Sequence, residues 1–340
     1  MRFAVFATYL SLIAAPVLSY EIEASRTYPG TSGAVLRVIS TADIEVFEPL
    51  ILAFQAANPA QEVVYDVASS AQLMQALFMD GAQYDLAISS AMDLQIKLAN
   101  DGFAQPYISD ATAALPGWAV WHDEVFAFAR EPAVIVISNL HFGPLPQPEN
   151  RTELIQLLRT HPDRFRGRIA TYDVRSSGLG YLFATQDSRN TETFWQLTEI
   201  MGRLDAQLYC CSGEMISDVV SGKLALAYNV LGSYAAARAQ EEPSITIIEM
   251  DDYVSVMLRT ALIPTTAQHP ETAGVFIDFL LHSRGQAILA EVGLPPVLPA
   301  GNTPGPALRP IRLGPGLLVF LDHLRRENFL RSWAGSIIQN

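Results

Sequence analysis

Four places in the chain set small hydroxyl residues between a β-like run and a helix-like one. Thr41 and Asp43 follow residues 35–39, Ser69 and Ser70 follow 62–67, and Ser89 and Ser90 follow 84–88. Ser176, Ser177 and Gly178 follow 168–174. Each junction puts first-turn N–H groups, a hydroxyl and the positive end of a helix dipole at the carboxyl edge of a sheet. That chemistry holds small anions. One Ser-Ser ahead of a helix is a cap; four at like positions point to a ligand cleft.

Side chains further along the chain extend the set. Arg175, just before the fourth pair, carries a guanidinium suited to bidentate contact with a carboxylate or phosphate, or to a surface ion pair. Arg130 either reaches the ligand or pairs with Glu131 or another carboxylate. Asn229, Ser233 and Tyr234 lie at a strand end and helix start, with Tyr228 beside them as a core candidate. The expected ligand contacts are Thr41, Ser69, Ser70, Ser89, Ser90, Arg130, Arg175, Ser176, Ser177, Asn229, Ser233 and Tyr234. Asp43 is expected to cap the helix from residue 44 as well, and Ser212 to act as a cap, a contact or both.

The elements that must position these residues alternate. Residues 44–57 form an amphipathic helix, with Phe47, Leu50, Ile51 and Phe54 on one face and Asn58-Pro59 ending it. Helices at 71–79 and 92–100 close at Gly81 and Gly102. The resulting βαβαβ unit requires a parallel sheet covered by helices on both faces. Residues 125–130 and 133–138 are β stretches broken at Glu131-Pro132 and suit a strand crossing between lobes. A second α/β unit follows, with strands at 168–174, 223–230 and 245–250 and helices at 152–160, 178–185, 191–204, 214–220 and 233–240. A return crossing at 253–263 precedes helices at 271–281 and 285–292. A Pro/Gly-rich wrap at 294–316 and a terminal amphipathic helix at 317–333 complete the chain. The fold class is α/β: two lobes, each a mostly parallel sheet flanked by helices, hinged by two crossing strands with the ligand between. The boundaries are 1–19 as a signal peptide, 20–129 plus 261–340 as lobe 1, and 130–260 as lobe 2.

Composition narrows the function. Arg2 and the apolar run from Phe3 to Leu18, with Val17 and Ser19 before a cut at Tyr20, predict export to the periplasm and cleavage. The run is shorter than the roughly 20 residues a membrane span needs. A net charge of −13 argues against nucleic acid, while local dipoles still permit an anionic ligand. Cys210 and Cys211 are adjacent, so the choice lies between a vicinal disulfide and two packed thiols. Six scattered histidines, with no CxxC or HExxH, point to no metal site and no cofactor. The absence of GxSxG and P-loop motifs points to no catalytic residues and no enzyme.

The segments FEPLILAFQAANP (47–59), YDLAISSAMDLQIKLANDG (84–102), VFAFAREPAVIVISN (125–139) and ETAGVFIDFLLHSRGQAILAE (271–291) resemble extracytoplasmic solute-binding proteins of ABC importers with type II topology, in the ferric-iron and organophosphate branch. Residues 208–235 and 312–333 look like a subgroup related to the phosphoglycerate-transport regulatory protein. The resemblance implies a monomeric receptor that closes around a small organic anion and serves an ABC permease or a membrane sensor kinase. Iron binders of this kind carry adjacent tyrosines where this chain reads Gly232-Ser233-Tyr234, with one tyrosine. Ferric iron needs several anionic oxygen ligands, which leaves iron as the alternative to a carboxylate or phosphate ester.

Overall fold

The structure is a computed structural model that describes residues 20–31, 34–297 and 307–339. The expected signal peptide lies outside the described residues. The strands are β1 (Ala24–Tyr28), β2 (Ala34–Ser40), β3 (Gln61–Val67), β4 (Leu86–Ser89), β5 (Ala104–Gln105), β6 (Val120–Trp121) and β7 (Val125–Ser138). They continue as β8 (Ile169–Tyr172), β9 (Gln207–Tyr209), β10 (Leu226–Leu231), β11 (Ile245–Ile248), β12 (Val254–Pro264) and β13 (Leu308–Pro310). Among the described residues they link in the order β1-β3-β2-β4-β12-β7-β10-β8-β9, with β5 and β13 on β12 and β6 and β11 on β7.

The parallel β3-β2-β4 ladder of the first lobe and the parallel β10-β8-β9 ladder of the second are joined through antiparallel β12 and β7. β7 pairs β12 over its first half and β10 and β11 over its second, so this one strand belongs to both sheets. Helix Ile44–Ala57 buries Phe47, Leu50, Ile51 and Phe54 against β2 and β3. It follows the 3.6-residue spacing of those side chains.

Four details differ from the sequence reading. The polar lead forms β1, which pairs antiparallel with β3; its side chains are mostly exposed, so no apolar alternation marks it. The stretch at 71–79 is a short α-helix, Ser70–Met74, continued by a π-helical turn, Gln75–Met79. Glu131-Pro132 does not break β7, because Pro132 pairs with Val256 without loss of strand geometry. The C-terminal segment touches both lobes: Leu313 N donates to the Trp118 carbonyl of the first at 2.9 Å. Its helix, His323–Ile337, packs on the second lobe through Phe329, Trp333 and Ile337. A Cβ at Gly202 would lie 2.5 Å from the Ser336 carbonyl oxygen, so only glycine lets helix Thr193–Arg203 come this close.

One buried carboxyl makes the fold pH-dependent. Asp93, in the first turn of helix Met92–Asn100, is pushed up to about 7 by burial, partly opposed by its backbone hydrogen bonds. A carboxyl whose folded pKa is raised binds its proton more tightly in the folded state. The contribution of Asp93 to stability is therefore fully present below about pH 4 and is lost as pH rises toward 7, on the order of 4 kcal/mol in all. Asp93→Asn is expected to flatten that slope in urea melts at pH 4.5 and 8. Equal slopes in both proteins would refute it.

Candidate functional site

A cavity of about 490 Å³ opens between the lobes, at the carboxyl ends of the parallel strands. The first lobe supplies Glu23, Thr41, Asp43, Ser69, Ser70 and Ser90. The second supplies Tyr172, Ser176, Ser177, the run from Cys210 to Glu214, and Tyr234. Four helices of nine residues or more begin on its wall: Ile44–Ala57, Gly178–Asn190, Ser212–Val220 and Gly232–Glu241.

The hydroxyls are already oriented by the backbone. The Thr41 side-chain oxygen accepts from Ser90 N at 3.0 Å and lies 3.3 Å from Ser90 Oγ, fastening the ends of β2 and β4 together. Ser69 Oγ accepts from Gln72 N at 3.2 Å, and Ser177 Oγ from Gly180 N at 3.2 Å; both are helix caps. Helix Ser212–Val220 has no side-chain cap. Its first-turn N–H groups therefore lack an intrahelical acceptor, and Ser212, Gly213 and Glu214 line the cavity. Ser212 Oγ accepts from Leu231 N at 3.0 Å and lies 2.5 Å from the Tyr172 hydroxyl, fixing that helix start to β10 and β8.

Seven of the expected contacts come together here: Thr41, Ser69, Ser70, Ser90, Ser176, Ser177 and Tyr234. Five do not. Ser89 is buried, and its hydroxyl accepts from Ala91 N at 3.0 Å within the turn. Arg130 lies on β7 with its N–H on the Pro295 carbonyl at 2.9 Å, away from the cavity lining. Arg175 folds back on Asp173, donating from Nε at 2.8 Å and Nη2 at 2.6 Å. Asn229 has φ +63° at an irregularity of β10, which turns its side chain inward to donate to Asp187 at 2.7 Å. Ser233 is buried and its hydroxyl donates to Glu131.

Three acids were outside the expected set of contacts. Glu23 enters because β1 pairs with β3, a non-local event. Asp43 stands at the helix start but makes no side-chain cap bond, leaving its carboxylate to the cavity. Glu214 lies in the first turn of helix Ser212–Val220, a position that was legible. Burial raises the Glu23 carboxyl above its ordinary range, and the Asp43 charge adds to this. Burial raises Asp43 as well, opposed by Tyr234 and Arg259. Among the described lining residues there is no Lys, Arg or His. The nearest buried cation is Arg259 on β12, wholly enclosed and held by Glu131 of β7 at 2.9 and 2.5 Å.

Two pairs of residues bring the lobes into contact at the cleft. Tyr234 OH accepts from Asp43 N at 3.5 Å. Gly178 lies against Ser70, where an added Cβ would be 2.6 Å from Ser70 Oγ.

Residues 36–294 match the family described as bacterial extracellular solute-binding protein. The chain belongs to this family. Its members are transport binding proteins of ABC transporters rather than enzymes. Among solved structures, this solute-binding protein is similar to the substrate binding protein of an ABC transporter from Agrobacterium tumefaciens: 34% identity, TM-score 0.88, covering 94% of this chain and 99% of that one. It is also similar to the periplasmic binding protein AfuA from Actinobacillus pleuropneumoniae, solved with fructose-6-phosphate bound: 14% identity, TM-score 0.73, covering 91% and 100%. Iron-bound HitA from Pseudomonas aeruginosa is a third: 16% identity, TM-score 0.69, covering 89% and 99%. At such identities AfuA and HitA speak for the fold. No curated protein matches the chain.

Two expected results follow from the geometry. Arg175→Ala leaves affinity for the solute within about twofold, because the guanidinium is engaged by Asp173 outside the cavity. A loss of tenfold or more by calorimetry, about 1.4 kcal/mol, would place Arg175 on the ligand. Cys210 and Cys211 form a disulfide in the cavity wall. A bridge between neighbours closes almost no loop, so it contributes little through chain entropy. Cys210→Ser with Cys211→Ser is expected to move the melting temperature by about 2 °C or less. A larger fall would show that the bridge holds the lobe together.

Proposed function

We propose that this solute-binding protein is a monomeric, exported periplasmic receptor that closes around a small organic anion, a carboxylate or phosphate ester, and presents it to an ABC permease. The observation that carries this reading is the convergence of helix starts and hydroxyls from both lobes on one cavity, above all the uncapped start of Ser212–Val220. Each helix start contributes about 0.3–2 kcal/mol to a bound anion. Hydrogen bonds to a charged group add roughly 1.5–3 kcal/mol each. Several together reach micromolar binding, near −8 kcal/mol, after ordering costs. The fold shared with AfuA, whose structure holds a sugar phosphate, is consistent with an organophosphate.

Ferric iron is the weaker reading. Tyr234, the tyrosine nearest to an iron-binding position, has its phenol raised well above the ordinary range, chiefly by burial. Its hydroxyl is also occupied by Asp43 N. Iron coordination favours anionic oxygen donors such as phenolate, and burial of this kind opposes the anion.

A thermal-shift screen of the chain from Tyr20, against phosphate esters, di- and tricarboxylates, amino acids, sugars and ferric iron, tests the reading. A ligand at a hundred times its dissociation constant adds about 2.7 kcal/mol. Shifts confined to organic anions are expected. A shift with ferric iron or neutral sugars alone would contradict the proposal.

A further inference from the structure

The charge of the cavity runs against a simple anion. Glu23, Asp43 and Glu214 face it, and none of the three has an ion-pair partner among the described residues. The guanidinium groups nearest the site are engaged elsewhere, Arg175 by Asp173 and Arg259 by Glu131. The three acids come from three different elements: the lead into β1, the start of helix Ile44–Ala57, and the first turn of Ser212–Val220. They are close enough for Asp43 and Glu214 to raise the Glu23 carboxyl. They do not form a metal site, since the described residues contain no group of three His, Cys, Asp or Glu that could hold a metal ion.

A ligand with anionic charge alone would be drawn to the helix starts and repelled by all three carboxylates. A cation alone would satisfy the carboxylates and leave the open N–H groups of Ser212–Val220 without an acceptor. A molecule with both charges satisfies both halves of the lining. We infer that the ligand is a small zwitterion, a carboxylate or phosphate ester that also carries an ammonium group, with its anionic end at the start of Ser212–Val220 and its ammonium among Glu23, Asp43 and Glu214. This rests on the reading of the cavity as an anion site. It makes the three acids specificity-determining residues, which discriminate by repelling the plain anion as well as by attracting the ammonium.

Matched pairs of probes separate this inference from the reading beneath it. Calorimetric titrations of the chain from Tyr20 compare β-alanine with propionate and 2-aminoethyl phosphate with ethyl phosphate, with ethylamine as the cation alone. The aminated member of at least one pair is expected to bind tenfold or more tighter than its partner, and ethylamine more weakly than either zwitterion. The pair that responds distinguishes a carboxylate from a phosphate ester. The double variant Glu23→Gln, Glu214→Gln is expected to shrink the ratio to about threefold or less, by weakening the zwitterion and strengthening the plain anion. Its melting temperature without ligand checks that it folds. If plain anions bind as tightly as their aminated partners, the zwitterion is overturned and the anion site stands. If ethylamine equals the zwitterions, or if no probe binds, the anion site is overturned with it.

Discussion

Glu131→Ala is expected to lower the unfolding free energy by about 3–5 kcal/mol, the usual cost of leaving one member of a buried ion pair alone. Glu131 stands opposite Met257 and reaches diagonally across the two crossing strands to Arg259, which stands opposite Ala129; both are fully buried. The carboxylate accepts twice from the guanidinium and once more from the Ser233 hydroxyl of the second lobe. The guanidinium bonds come from Nε and Nη2, and Arg259 Nη1 has no hydrogen-bond partner among the described residues. Loss of Glu131 would leave a full positive charge in the hinge, with Asp43 and Tyr234 nearby. Urea denaturation followed by circular dichroism measures the effect. A loss below about 1 kcal/mol would mean that another group takes over Arg259.

Gly178→Leu is expected to weaken solute binding at least tenfold while leaving the unliganded protein as stable as before. Gly178 is the first residue of helix Gly178–Asn190, and its φ is not in the left-handed region. Leucine there is compatible with the backbone and is a better helix former than glycine. The obstacle is across the cleft. A Cβ alone would come within 2.6 Å of Ser70 Oγ and 3.2 Å of a Leu94 methyl, both in the first lobe. Ser70 can rotate away from one methyl group, but not from a whole isobutyl chain. The substitution therefore wedges the lobes apart and removes contacts made only on closure. Calorimetry with the best ligand of the screen, together with a melting curve, separates binding from folding. Unchanged affinity would show that the lobes need not meet at this point.

The fold was legible where burial imposes a period. β2, β3 and β4 and the helices between them follow from apolar runs and from 3.6-residue spacing, as at Phe47, Leu50, Ile51 and Phe54. β1 was not legible, because an edge strand with exposed side chains has no alternation to read. The placement of helix His323–Ile337 on the second lobe was equally hidden. Its apolar face fits any complementary surface, and the partner is fixed by non-local contacts, the close approach at Gly202 and the rings of Tyr181, Phe194 and Trp195 around Phe329.

The site was legible by residue type and much less so by side-chain direction. Serine and threonine after strands do converge on the cleft, because the backbone carries them there. Longer or strand-borne groups were diverted by competing partners: Arg175 to Asp173 two residues away, Asn229 to Asp187, and Ser233 to the Glu131–Arg259 pair. Local sequence does not rank such competitors. The acids Glu23, Asp43 and Glu214 decide the charge of the cavity, yet only their assembly from distant segments shows it.

A crystal structure of the chain from Tyr20, grown with the tightest organic anion from the screen, tests the central claim most directly. The expected result is the ligand in the cavity between the lobes, with its anionic group within hydrogen-bond distance of the Ser212 and Gly213 N–H groups. Side chains of both lobes should touch it. A ligand bound on the outer surface, or one held by a single lobe with no anionic group at that helix start, would contradict the account.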